Sequence, residues 1–186
     1  ISPNNPTAQV LDEVTTRSAV EWSARAGVPI ISDEVFSAFL YTGAAHVRAG
    51  GFAETAGALT FTLNGLSKLY AAPEIKLGWI VVHGPRARVR AAVNALSILH
   101  DTYLSASAFA EWACYSFLRE GPEVPTDIAA TLHHRRDRFL EQLASTAPAI
   151  HAIPPYGGVH CLLRVHPSAA SAVAGAADDE KLAIAL

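Results

Sequence analysis

Hydrophobic positions along the chain change their period several times, and the changes divide it into elements. Over 11–27, Leu11, Val14, Ala19, Val20 and Trp22 form a loose apolar face at helical spacing, and Gly27 is a natural stop. A short continuous apolar run follows at 28–32 and ends in Asp33 and Glu34. A strand of that kind suits a sheet buried on both faces. Gly43, Gly50 and Gly51 mark a loop, and 51–57 reads as a short helix or turn. Apolar runs at 58–63 and 77–82 predict two more strands. Between them lies a polar loop with Lys68 behind Ser67, and with Gly65 and Pro73.

Pro85 opens a predicted helix over 86–98, with Arg86, Arg88 and Arg90 as its solvated face. A loop over 100–105 leads to a helix over 106–120, whose Phe109, Trp112, Ala113 and Phe117 are expected in the core. Gly121, Pro122 and Pro125 mark a break and the candidate domain boundary. Thr126 or Asp127 is expected to cap a helix running to about residue 143. Its His133 and His134 are adjacent, so they point in different directions and make a poor ligand pair. Two strands over 149–153 and 159–165 are joined by Pro154, Pro155, Tyr156, Gly157 and Gly158 as a hairpin-like connection. An alanine-rich stretch at 168–177 reads as loop or short helix, and 178–186 opens like a capped helix. The fold expected is α/β, a three-layer arrangement on a mainly parallel sheet over 1–122, followed by a smaller α+β piece over 123–186.

Composition narrows the class. The 186 residues are 51% hydrophobic and 17% charged, with a net charge of -3, which is globular and not disordered. A basic footprint for nucleic acid is absent, and no apolar run is long enough to cross a bilayer. Cys114 and Cys161 lie far apart without metal or disulfide spacing, which suits a reducing, cytoplasmic setting. The chain begins at Ile1, contains no methionine and stops as a helix gets under way, so an internal piece of a longer protein is expected.

Three residues then draw together. Asn5 stands before Pro6 and is pushed to an extended conformation with its amide able to donate and accept. Asp33 closes the first strand, and Lys68 follows the second. Each has a bland explanation: an Asn-Pro turn, a cap for the next turn, a solvated loop lysine. If the two strands are parallel neighbours, however, all three meet at the carboxyl edge of one sheet. An amine, a carboxylate and an amide donor at one place are what pyridoxal phosphate needs. The amine forms an imine with its aldehyde, the carboxylate keeps the pyridine nitrogen protonated, and the amide donates to the phenolic oxygen. A phosphate needs hydroxyls and a cation, for which Ser67 and Lys76 are nearby.

Asn5-Pro6-Thr7 after Asn4, Ser32-Asp33-Glu34-Val35, Leu66-Ser67-Lys68 with Lys76-Leu77-Gly78-Trp79, and Pro155-Tyr156-Gly157-Gly158 occur in one order. In that order they resemble the class I/II aminotransferases, fold-type I enzymes dependent on pyridoxal 5'-phosphate. The resemblance spans essentially the whole chain. It implies that Lys68 is the imine lysine and the base that moves the substrate's α-proton. It implies further that Asp33 pairs with the pyridinium nitrogen, that Asn5 contacts the phenolic oxygen, and that Ser67 and Lys76 hold the phosphate. Tyr156, Gly157 and Gly158 would belong to a small domain that closes over substrate. Substrates would be an amino acid and a 2-oxo acid, and the whole protein would be a homodimer.

Departures from the family pattern are specific. Phe36 stands among the cofactor-contacting positions where many members carry a tyrosine that donates to the phenolic oxygen, so a raised imine pKa is expected. Gly65 replaces a common phosphate-binding serine, Lys76 a common arginine, and Ala8 a common glycine. The family's upstream phosphate cradle and ring-stacking aromatic, and its downstream substrate-carboxylate arginine, have no counterpart in these residues. Two other activities share the pattern: a carbon–sulfur lyase of the same fold, and a fragment that does not catalyse by itself.

Overall fold

A computed structural model of the chain describes residues 1–41, 43–45 and 47–166; the segments expected at 168–177 and 178–186 lie outside the described residues. Helix α1, Glu13–Ala26, is started by Asp12, whose side chain accepts from the Thr15 N–H. Gly27 ends it in the left-handed conformation at φ 69°, where a side chain would be strained. The face that α1 buries carries Thr16, Val20 and Ser23. Val20 packs with Ala49 of the following loop and with Ala58, against Ile30 and Phe52.

Strand β1, Ile30–Asp33, runs parallel to β2, Thr60–Gly65, with Asp33 opposite Leu63. Helix α2, Gly50–Ala56, lies on the crossover between them. Strand β3, Gly78–His83, returns antiparallel to β2, with Gly65 opposite Gly78. The sheet is therefore mixed, in the order β1-β2-β3. Antiparallel return follows from the link: 66–77 stays at one edge of the sheet and holds no long crossover helix to carry the chain back to the other.

The stretch expected as a polar loop around Lys68 is partly helical. Leu66–Leu69 makes one turn, α3, and Pro73–Ile75 makes a 3₁₀ turn. The sequence hides this because the turn is stabilised from below: Leu66 and Tyr70, four apart, are buried with Ala72 against Trp79, Cys114 and Phe117.

Helix α4, Arg86–Thr102, runs past the expected end at residue 98, because neither glycine nor proline interrupts it. Helix α5, Ala108–Glu120, is capped by Ser107, whose hydroxyl accepts from the Ala110 N–H. Its buried stripe is Ala110 and Ala113, with Cys114 and Phe117 half-buried beside them. Phe109 and Trp112, expected in the core, are 66% and 65% exposed. At 100° per residue they fall about a quarter-turn or more off that stripe, which sequence spacing alone does not separate from its centre. Helix α6, Val124–Thr146, starts ahead of the expected cap, since Pro125 is tolerated in a first turn. Strands β4, Ile150–Ile153, and β5, Leu162–Val165, form the expected antiparallel pair.

Candidate functional site at the carboxyl edge of the sheet

Both β1 and β2 run toward the same edge, so Asp33 and the α3 turn that carries Lys68 leave the sheet side by side. The exits are tied together. The Glu34 N–H donates to the Leu63 carbonyl at 3.0 Å, and the Asn64 amide donates to the Glu34 carbonyl at 3.2 Å. The N-terminal loop joins them, because the Ser2 N–H donates to the Asp33 carbonyl at 3.1 Å. Asp33 and the turn of Lys68 thus share one edge, and the loop that carries Asn5 is bonded to that edge through Ser2.

Asp33 is half-buried, and one carboxylate oxygen accepts from the Val35 N–H at 3.2 Å. The cap leaves the second oxygen without a hydrogen bond among the described residues. Lys68 and Asn5 are exposed and Ser67 is half-buried, and none of the three side chains has a hydrogen bond or ion pair among the described residues. It is Asn4, not Asn5, that closes the turn, accepting from the Thr7 hydroxyl at 2.8 Å. Lys76 is exposed and held at φ 56°, a left-handed conformation unusual for lysine.

Gly65 is enclosed. A Cβ there would stand 2.7 Å from the Leu77 carbonyl oxygen and 2.9 Å from Gly78 Cα. Its N–H donates to the Asn64 side chain at 2.8 Å. The position thus offers no hydroxyl and has no room for one.

Phe36 is 4% exposed, and the His160 ring meets it edge-on at 5.6 Å and 83°. His160 was not singled out by its sequence context. Nor was the network that delivers it. The Ala8 carbonyl accepts from the Tyr156 and Gly157 N–H groups at 2.9 and 3.2 Å, and the Gly158 N–H donates to the Phe39 carbonyl at 2.7 Å. Ala8 holds φ 57° and is 1% exposed, a left-handed alanine where glycine would be unstrained. The paired glycines at 157 and 158 were the available signal: a Cβ on Gly157 would meet Pro3 at 2.7 Å.

Other chemistry is limited. Burial raises the thiol pKa of both Cys114 and Cys161, so neither is an activated nucleophile. Among the described residues no group of three His, Cys, Asp or Glu side chains is placed to hold a metal, and no helix is long and apolar enough to cross a membrane.

A mixed sheet with a lysine turn and a carboxylate at its carboxyl edge is the arrangement of a known class of enzymes. The chain belongs to the aminotransferase class I and II family, whose sequence model matches residues 1–186. It is 29% identical over 161 residues to a probable aspartate/prephenate aminotransferase of Aquifex aeolicus, covering 86% of this chain and 39% of that protein. It is 28% identical over 167 residues to the glutamate-pyruvate aminotransferase AlaA of Escherichia coli K12, covering 89% and 40%. Among solved structures, an aminotransferase from Escherichia coli superposes with a TM-score of 0.78 at 26% identity, over 97% of this chain and 44% of the other. An alanine aminotransferase from Pyrococcus furiosus gives 0.74 at 26%, over 89% and 41%. The chain spans about two fifths of the length of the curated relatives it matches.

Proposed function

We propose that the chain is the lysine-bearing part of a pyridoxal 5'-phosphate-dependent aminotransferase, acting on an amino acid and a 2-oxo acid. The observation that carries this is the shared edge: Asp33 ends β1, and Lys68 follows the parallel β2. The donor set fits the cofactor in its chemistry. The side chains of Asn5, Ser67, Lys68 and Lys76 make no hydrogen bond to the protein among the described residues, and the Asp33 side chain commits one oxygen only. When bound, the cofactor supplies an aldehyde for an amine and a ring that withdraws electrons from the substrate's α-carbon.

The chain's residues supply the rest. Lys68 is the amine that holds the cofactor, and afterwards the base that moves the α-proton. Asp33 would supply the negative charge that keeps the ring nitrogen protonated. Asn5 would donate its amide to the phenolic oxygen, and Phe36 offers no hydroxyl to add. The Ser67 hydroxyl and the Lys76 ammonium bind the phosphate, the latter as a point charge and not as a guanidinium fork. The α3 turn that carries Lys68 is anchored by the buried Leu66 and Tyr70.

On the same reading, residues 1–122 belong to a cofactor-binding domain and 123–186 to a smaller one, in a cytoplasmic homodimer. The relatives' own names mention aspartate, prephenate, glutamate and pyruvate, which supports an amino acid and a 2-oxo acid as the substrate classes. The test uses the full-length protein. Pyridoxal phosphate should give a visible absorption band that Lys68→Ala abolishes, and amino donors should be screened against 2-oxoglutarate and pyruvate. A band that survives Lys68→Ala would sink the role of Lys68. Release of ammonia and pyruvate from a sulfur amino acid without a 2-oxo acid would replace transamination by elimination.

A further inference from the structure

Among the described residues, His160 is the polar ring packed against Phe36. It sits half-buried in the link between β4 and β5, its imidazole edge-on to the phenyl ring at 5.6 Å. Neither ring nitrogen has a hydrogen-bond partner among the described residues, although one of them carries a proton in every protonation state near neutrality. Neither nitrogen is sealed from solvent, so a ring N–H at this position is free to meet a bound group.

The link is not a loose loop. Tyr156 and Gly157 donate to the Ala8 carbonyl, Gly158 donates to the Phe39 carbonyl, and Tyr156 accepts from the Tyr41 N–H at 2.9 Å. Gly157 backs onto Pro3, and Gly158 lies within ordinary contact distance of Phe36. The segment that carries His160 is thus bonded both to the loop of Asn5 and to the segment that follows Asp33. Those bonds anchor the backbone just ahead of His160.

Tyr41, the nearest tyrosine after Phe36 in sequence, is committed elsewhere. Its hydroxyl donates to the Gly158 carbonyl at 2.9 Å. It is not available as a substitute donor at position 36.

We propose that His160 is a further cofactor-contacting residue of this site, its ring N–H donating to the phenolic oxygen of pyridoxal phosphate where Phe36 offers no hydroxyl. The inference rests on the cofactor assignment above and adds the residue that completes it. Asn5 and His160 then serve the same oxygen from two segments that the Ala8 carbonyl holds together. Such a donor draws charge from the oxygen, and so lowers the pH at which the proton shared with the Lys68 nitrogen is lost.

The experiment uses full-length protein with pyridoxal phosphate and follows the visible band against pH. His160→Phe keeps an aromatic ring against Phe36 and removes the donor. It should raise the pH midpoint of the band by roughly one unit, the size of one hydrogen bond to a charged oxygen. His160→Gln keeps an N–H and should stay closer to the wild-type midpoint than His160→Phe. Adding Phe36→Tyr to His160→Phe should bring the midpoint back down, and by more than Phe36→Tyr does alone, because two donors on one oxygen are not additive. Equilibrium dialysis should show weaker pyridoxal phosphate binding by about tenfold in His160→Phe. A band present with an unmoved midpoint in His160→Phe would overturn the role of His160 and leave the cofactor assignment standing. Equal Phe36→Tyr shifts with and without His160 would overturn it too. Absence of any visible band in the wild-type protein would overturn the cofactor assignment and the role of His160 together.

Discussion

The hydroxyl of Tyr41 donates to the carbonyl of Gly158 at 2.9 Å, joining residues 117 apart in sequence. The ring is 6% exposed, and the Arg136 guanidinium of α6 lies 4.4 Å above it. His133, one turn before Arg136 on the same helix, hydrogen-bonds through Nε2 to the Leu40 carbonyl. Three parts of the chain therefore converge on one tyrosine: the segment after Asp33, helix α6, and the link that carries His160.

Removing the Tyr41 hydroxyl leaves the Gly158 carbonyl without its donor. Tyr41→Phe should lower the unfolding free energy of the full-length protein by about 1–2 kcal/mol, read from urea denaturation. A pH effect accompanies it. Burial raises the Tyr41 phenol above its ordinary value of 10.0, and the Arg136 charge opposes this in part. The unfolded tyrosine loses its proton from pH 10 upward while the folded one keeps it. Stability from this group is complete below pH 10 and is lost as pH rises through the folded value. Stability of the phenylalanine variant should accordingly fall less steeply above pH 10. Burial raises Tyr70 in the same direction, so some alkaline decline should persist in the variant.

Asp33 separates structure from chemistry in one substitution. The only hydrogen bond of its side chain within the described residues is from the Val35 N–H, and an asparagine carbonyl accepts that bond equally well. Asp33→Asn should therefore change the urea midpoint little. It removes the negative charge that keeps the ring nitrogen protonated, so transamination should fall by roughly 10²-fold or more. The measurement is single-turnover kinetics beside denaturation of the same preparation. A variant that loses stability and activity in proportion would make Asp33 a structural cap only.

How far the sequence reaches can be judged at these residues. Asp33 and Lys68 were legible because strands and their exits follow from local apolar runs, and parallel pairing then brings the exits to one edge. The ends of α1 were legible because Asp12 and Gly27 act locally. Tyr41, Ala8 and His160 were not, since their meaning lies in hydrogen bonds and ring contacts across more than a hundred residues. The α3 turn was missed for a related reason. Four residues carry too little periodicity to declare a helix, and its stability comes from where Leu66 and Tyr70 are buried. On α5 the aromatic spacing led to Phe109 and Trp112 as core, whereas the stripe that packs runs through the alanines.

Gly65 tests whether a serine could be restored at this position. The Cβ of any replacement would stand 2.7 Å from the Leu77 carbonyl oxygen, inside the Gly65–Gly78 pair of β2 and β3. Backbone on both strands would have to separate. Gly65→Ser should cost roughly 1–3 kcal/mol by denaturation, as overpacking does. It should also weaken pyridoxal phosphate binding, in spite of the added hydroxyl, because the displaced strands carry the α3 turn. Tighter binding by dialysis would show that the strands yield and that the hydroxyl reaches the phosphate.

Lys76 bears two opposing effects that substitutions can divide. Its backbone is left-handed at φ 56°, which costs a side-chain-bearing residue about 1–2 kcal/mol relative to its relaxed conformation. Its side chain is exposed and makes no ion pair among the described residues, so nothing in the protein offsets that strain. Lys76→Gly should raise stability by roughly 0.5–1 kcal/mol, after the greater flexibility of unfolded glycine is deducted. If the ammonium grips the phosphate, the same variant should bind pyridoxal phosphate about tenfold less tightly or worse. Lys76→Arg keeps the strain and the charge but adds a fork matched to phosphate, so it should bind the cofactor more tightly at unchanged stability. Affinity and stability moving in opposite directions in the glycine variant is the signature of strain retained for binding. A glycine variant that gains stability and keeps its affinity would leave Ser67 as the phosphate contact from this part of the chain and remove Lys76 from the site.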